Sequence, residues 1–174
     1  YEYSFRLGAD YKGFDFSIYC QGIGKRKIWG AGQLAIPGWN AKEGAMPETF
    51  CKDYWTEDNT DAYYPRAWDL GGSNTGFTMQ RQSKYLLNMA YLRVKNINFG
   101  YTFPQKWMKK AYINNLRVYM SLENFFTFDH LRGLPIDPEA ISGYSMFSDN
   151  YNLGRTGTGT PVFKSLSFGL QLSF

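Results

Sequence analysis

The stretch SLSFGLQLSF, residues 165–174, decides how the rest of the chain is read. In an extended strand Leu166, Phe168, Leu170, Leu172 and Phe174 point to one side, and Ser165, Ser167, Gly169, Gln171 and Ser173 to the other. From Lys164 to Phe174 there are ten residue steps. At about 3.3 Å per step and a tilt of about 45°, they span roughly 23 Å, close to the ~25 Å apolar band of a transmembrane barrel. Lys164 then sits at the rim, where a lipid-facing lysine costs about 0–1 kcal/mol rather than the 2–4 kcal/mol of the midplane. A slip of one residue would place Ser165, Ser167, Gln171 and Ser173 in hydrocarbon, so the register is strongly specified.

The same alternation recurs upstream. In YEYSFRLGADY, residues 1–11, the apolar set is Tyr1, Tyr3, Phe5, Leu7, Ala9 and Tyr11. Lys12 and Gly13 break the pattern, and it resumes with Phe14, Phe16, Ile18 and Cys20, which predicts an antiparallel hairpin. In residues 85–103 the parity changes: Leu86, Leu92 and Val94 share one face, whereas Ile97, Phe99, Tyr101 and Phe103 share the other. That change requires a β-bulge near Lys95 and Asn96. After a short polar turn, Leu116, Val118, Met120, Leu122, Phe126 and Phe128 oppose Arg117, Tyr119, Ser121, Glu123 and Thr127. The predicted strands are residues 1–11, 14–29, 85–103, 116–128 and 162–174.

Long connections, residues 30–84 and 129–160, alternate with short ones. They are rich in Gly, Pro, Asn, Asp and aromatic residues, and a structureless stretch of that length inside a compact soluble domain would be anomalous. Short turns at one end, long loops at the other, apolar belts and polar faces together describe an outer-membrane β-barrel. A soluble carbohydrate-binding β-sandwich shares the alternation but not the unequal loops. A small complete barrel of about eight strands would suit the length, but it needs additional alternating strands in the long loops.

Composition fits these readings. Of 174 residues, 14 are Tyr, 14 Phe, 5 Trp and 18 Gly, yet the mean hydropathy is −0.43. No run approaches the ~18 apolar residues of a membrane helix. The first residues lack the basic, apolar, small-residue sequence of a signal peptide, so an exported protein is expected to begin upstream of this chain. The net charge of +4 is scattered, clustering only at residues 24–27 (GKRK) and 107–110 (WMKK), so nucleic acid is not the expected partner. Cys20 and Cys51 form no disulfide framework.

Several pieces in order, DYWTEDNTDAYYPR (53–66), YLRVKNINFGYTFPQKWMKKAYINNLRVYMSLENFFTF (91–128), GLPIDPE (133–139) and FKSLSFGLQLSF (163–174), resemble the C-terminal part of the SusC/RagA family, TonB-dependent outer-membrane transporters of Bacteroidetes. The resemblance implies an all-β transmembrane barrel of roughly 22 antiparallel strands with a plugged lumen, of which this chain supplies the last five. It also implies import of oligosaccharides, peptides or other large nutrients. Expected partners are the remainder of the barrel and plug, a SusD-like surface lipoprotein, TonB through an N-terminal part outside this chain, and outer-membrane lipid and lipopolysaccharide. No enzymatic activity, cofactor or metal is expected. Phe174 resembles the terminal aromatic that signals barrel assembly; it also suits an interfacial girdle.

Candidate site residues are few. Trp39, Trp55, Tyr63, Tyr64, Arg66 and Trp68 offer stacking faces and hydrogen-bonding tips for a ligand or protein partner, and equally suit packing that orders the loop. Arg117 and Glu123 are expected on the lumen side, touching plug or solute or forming pairs there. The GKRK cluster lies where lipopolysaccharide phosphates would sit, or is a solvated strand end. His130 is the only histidine and has no nucleophile motif beside it. Glu57, Asn59 and Asp61 have the opening spacing of a calcium loop, but Ala62 and Trp68 occupy the positions where glycine and glutamate are required. Residues 154–160 (GRTGTGT) lack the Lys-Ser/Thr ending of a phosphate loop.

Overall fold

The computed structural model describes residues 1–30, 46–66, 82–109, 112–140 and 162–174. Its strands in chain order are β1 (Glu2–Tyr11), β2 (Phe14–Ile23), β3 (Lys27–Ile28), β4 (Leu87–Asn88), β5 (Tyr91–Thr102), β6 (Asn115–Asp129) and β7 (Ser165–Ser173). A short helix α1 (Glu48–Lys52), a 3₁₀ turn (Ser83–Tyr85) and a helical turn (Gln105–Met108) complete the elements. They form two compact units. One is a sheet unit of Tyr1–Gly24, Tyr91–Phe128 and Val162–Phe174, and the other is a loop unit of Lys25–Ala90 and Asp129–Pro161.

The sheet unit is five-stranded, in the order β1-β2-β5-β6-β7. The two-residue turn between β1 and β2 has Lys12 at φ 48° and Gly13 at φ 90°. Positive φ at both central positions is the primed geometry whose twist matches paired strands. Gly13 is further required because a Cβ there would lie 2.7 Å from the Thr102 carbonyl oxygen. β2 pairs with β5 from Phe14↔Tyr101 to Tyr19↔Asn96, then resumes at Cys20↔Val94. Lys95 is therefore the extra residue of a bulge, and its insertion restores Val94 and Leu92 to the face carrying Ile97, Phe99 and Tyr101.

Except at the ends of β2 and β5 around Cys20, Ile23, Tyr91, Arg93 and Val94, which are buried, both faces of the sheet are accessible. On one, Phe5, Leu7, Phe14, Phe16, Phe99, Val118, Leu166, Phe168, Leu170 and Leu172 are between 39% and 74% exposed. At about half exposure, ten such side chains forgo on the order of 10 kcal/mol of transfer free energy, comparable with the whole stability of a domain. A face of this kind persists only against an apolar medium or partner. Among the described residues Leu166, Leu170 and Leu172 are not buried against a second sheet, as a soluble β-sandwich would require.

Aromatic rings gather at the ends of this face. Near the short turns Phe14 stacks on Phe99 at 5.8 Å and meets Tyr101 at 4.5 Å, Tyr101 meets Phe103 at 5.0 Å, and Phe103 meets Trp107 at 6.5 Å. At the other end of β6 lie Phe126 and Phe128. β6 has 15 residues, projecting to about 33 Å at a tilt of ~45°, so it outruns a ~25 Å apolar band. Its final turn of sequence therefore emerges on the long-loop side.

The opposite face is polar and cross-linked. Asn96 Nδ2 donates to Ser121 Oγ at 3.0 Å, Asn98 donates to Asn96, and the buried Arg93 donates through Nε to Thr127 Oγ1 at 3.0 Å. Arg117 donates from Nε and Nη2 to the two carboxylate oxygens of Asp15 at 2.9 and 2.6 Å.

Two strand limits differ by six residues from the sequence expectation, the others by three or fewer. β2 stops at Ile23 rather than continuing to 29, and β5 begins at Tyr91 rather than 85. Residues 27–28 and 87–88 instead pair with each other as β3 and β4, which form a separate two-stranded sheet in the loop unit.

Candidate functional site

The loop unit has a hydrophobic core of its own: Phe50, Tyr64, Met89, Leu131, Leu134 and Ile136, flanked by Ile28, Tyr63 and Leu87. Both long connections contribute to it. Phe50 projects inward from α1, which begins after Pro47, a residue whose fixed φ suits a helix start. Phe50 and Tyr64 meet edge to face at 4.8 Å. The segment after α1 is folded by a tight turn in which Thr56 and Asn59 exchange backbone hydrogen bonds at 3.3 and 3.1 Å. Trp55 N–H then donates to the Tyr64 carbonyl at 3.0 Å.

Tyr63 is the hub of the exposed side of this core. Its ring meets Tyr64 at 4.9 Å and Tyr85 at 5.7 Å, both edge to face, and its hydroxyl donates to the Lys84 carbonyl. The Arg132 guanidinium lies over the Tyr63 ring at 4.1 Å and donates to Asp53 Oδ2 at 3.1 Å. Arg132 is delivered by a tight turn closed by Leu134 N–H to Leu131 O at 3.1 Å, with Arg132 at φ 57° and Gly133 at φ 80°. The Lys84 ammonium stands 5.8 Å from the Tyr63 ring and 5.4 Å from that of Tyr85. Burial, with Tyr63 next, pushes the Tyr64 hydroxyl pKa up to about 12, and burial also raises that of Tyr85.

Tyr63, Tyr64, Tyr85 and Arg132 line a cleft of about 110 Å³ together with Leu86, Leu87, Asn88, His130, Leu131 and Leu134, with Lys84 and Asp53 beside it through their contacts to Tyr63, Tyr85 and Arg132. His130 Nδ1 lies 3.3 Å from the Ala90 carbonyl, a contact that fixes the imidazole and turns that nitrogen away from general-base work. No group of three metal-ligating side chains occurs among the described residues.

Of the aromatic residues singled out in the sequence, Tyr63 and Tyr64 come together, Tyr63 on the cleft and Tyr64 in the core beneath it. Trp55 is half-buried alongside and Arg66 is exposed. Trp39 and Trp68 lie outside the described residues. Tyr85, Lys84 and Arg132 were not anticipated: Lys84 and Tyr85 come from one stretch and Arg132 from another, and no motif marks either. Within GKRK, Arg26 donates to the Pro138 carbonyl, which makes it a tie between loop segments, while Lys25 and Lys27 stay exposed. Arg117 meets Asp15, and Glu123 lies opposite Ser165 on β7. Phe174 is 81% exposed just beyond β7. Cys20 and Cys51 are free thiols.

A five-stranded antiparallel sheet with an exposed apolar face, a polar network on the other and aromatic rims has the architecture of a segment of a transmembrane β-barrel. No family model matches the chain. TonB-dependent receptor P3 of Formosa agariphila is 27% identical to it over 165 residues, which are 94% of this chain and 15% of that protein. The RagAB peptide importer in its open-open state matches with a TM-score of 0.63 at 24% identity, over 99% of this chain and 17% of that one. The same importer in its closed-closed state gives 0.64 at 25% identity, again over 99% and 17%. The chain thus spans less than a fifth of the length of these relatives. In sequence and fold the chain is thus similar to part of a TonB-dependent transporter of the RagA kind.

Proposed function

We propose that the chain is the C-terminal part of an outer-membrane, TonB-dependent importer of oligosaccharides, peptides or other large nutrients that works with a SusD-like surface lipoprotein. The observation that carries this reading is the exposed apolar face shared by all five strands, opposite a hydrogen-bonded polar face. The first matches hydrocarbon, and the second a hydrated or plugged lumen. In this reading the short turns and Phe174 lie on the periplasmic side and the loop unit outside the cell. The relatives support it, since one is a receptor of the TonB-dependent kind and the other a peptide importer by name. No catalytic constellation is invoked.

The test is made on the full-length protein. Expressed in a Gram-negative host, it should fractionate with the outer membrane and migrate on gels with the heat-dependent shift of a β-barrel. It should also take up a labelled oligopeptide or oligosaccharide only while the inner-membrane proton gradient is intact. Recovery from the soluble fraction without detergent, or uptake unaffected by a protonophore, contradicts the reading.

A further inference from the structure

In the loop unit Arg132 and the half-buried Tyr63 and Tyr85 line the cleft, and the cation Lys84 and the carboxylate Asp53 stand beside them, the five coming from three separate stretches of chain. Arg132 meets Asp53 through a single nitrogen–oxygen contact of 3.1 Å, whereas a guanidinium carries five N–H donors in a fixed fork. Lys84 is exposed and has only ring contacts among the described residues. Two cations against one carboxylate leave one formal positive charge, which a monoanion balances. A phosphate, carrying nearly two negative charges, would face Asp53 uncompensated. A cleft of about 110 Å³ has room for a carboxylate with the carbons that bear it.

We propose that this cleft receives a carboxylate at the end or edge of a larger ligand, with Arg132 and Lys84 on its oxygens and Tyr63 and Tyr85 against the adjoining apolar surface. Carboxylates of this kind occur at peptide C-termini and on uronic-acid sugars, and the site chemistry is the same for both. The assignment rests on the importer reading and specifies the ligand class of its extracellular loops.

The experiment is calorimetric titration of the full-length protein in detergent with four probes: an N-acetylated tripeptide acid, its C-terminal amide, glucuronic acid and glucose. Charge-assisted hydrogen bonds predict that at least one acid binds tenfold or more tightly than its neutral counterpart. Whichever acid does so identifies the source. Lys84→Gln and Arg132→Gln should each abolish most of that preference. Because Lys84 is exposed, Lys84→Gln serves even if Arg132→Gln does not fold. Equal binding of acid and neutral forms, no binding to folded protein, or a preference unchanged in the variants overturns the proposal. None of these results bears on the importer reading, which stands or falls on membrane fractionation and gradient-dependent uptake.

Discussion

Arg117 on β6 reaches Asp15 on β2 by passing over Gly100 on the strand between them. Asp15 and Gly100 are direct partners in the ladder, and a Cβ at Gly100 would lie 2.4 Å from Asp15 Oδ1 and 2.7 Å from Arg117 Nη2. The glycine is thus a window through which two strands separated by a third are joined by a two-pronged ion pair.

Gly100→Ala should therefore cost about as much stability as Asp15→Asn, and the double variant no more than either alone. The pair is about a quarter exposed and faces the hydrated side, so its coupling is expected at about 0.5–1 kcal/mol. Chemical unfolding of the full-length protein and its variants in detergent measures it. Additive losses would mean that Gly100 acts by some route other than the fork.

Leu170 and Gln171 are sequence neighbours on opposite faces. Leu170→Lys should lower folded, membrane-inserted protein by the ~2–4 kcal/mol expected for a cation near the bilayer midplane. Gln171→Lys should change insertion little. Quantifying the heat-modifiable band in isolated outer membranes distinguishes the two.

The loop unit is predicted to be separately fragile. Met89 is fully buried in its core, and Met89→Ala should cost about 2–5 kcal/mol through the cavity it leaves. Because the lost packing lies within the loop core, external protease on intact cells should cut residues 46–66 and 129–140 faster, while the barrel band persists.

Alkaline pH should act on the same core. The Tyr64 pKa is pushed up to about 12 from an ordinary 10.0. A proton held more tightly in the folded state makes a contribution that is complete below pH 10 and lost as the pH rises toward 12. Ultraviolet titration of tyrosinate should show a late-ionising group that disappears in Tyr64→Phe, and that variant should retain its loop structure further into base.

Much of the sheet was legible because lipid enforces a strict period of two: the parity change between Val94 and Ile97 located the bulge that places Lys95 outside the ladder. The pairing of Arg117 was not legible, since its partner lies 102 residues away and the intervening glycine carries no side-chain signal. Most of the loop unit was read as connection, and Met89 as part of a strand over 85–103, because its core residues, Phe50, Met89 and Leu131 among them, are spread over three stretches with no common period. Tyr63 and Tyr64 stood out by their chemistry, whereas Arg132 gained its place over Tyr63 only through a turn whose shape the sequence barely marks.

The central claim, that hydrocarbon bathes one face of these strands, is tested most directly by spin labels. In full-length protein carrying Cys20→Ser and Cys51→Ser and reconstituted in bilayers, labels would be placed singly through Leu166→Cys, Leu170→Cys, Ser167→Cys and Gln171→Cys. The account predicts that the two leucine positions collide with lipid-dissolved oxygen and not with a water-soluble nickel chelate, and that the other two are shielded from lipid. Leucine positions protected from both reagents, as in a protein interior, would contradict it.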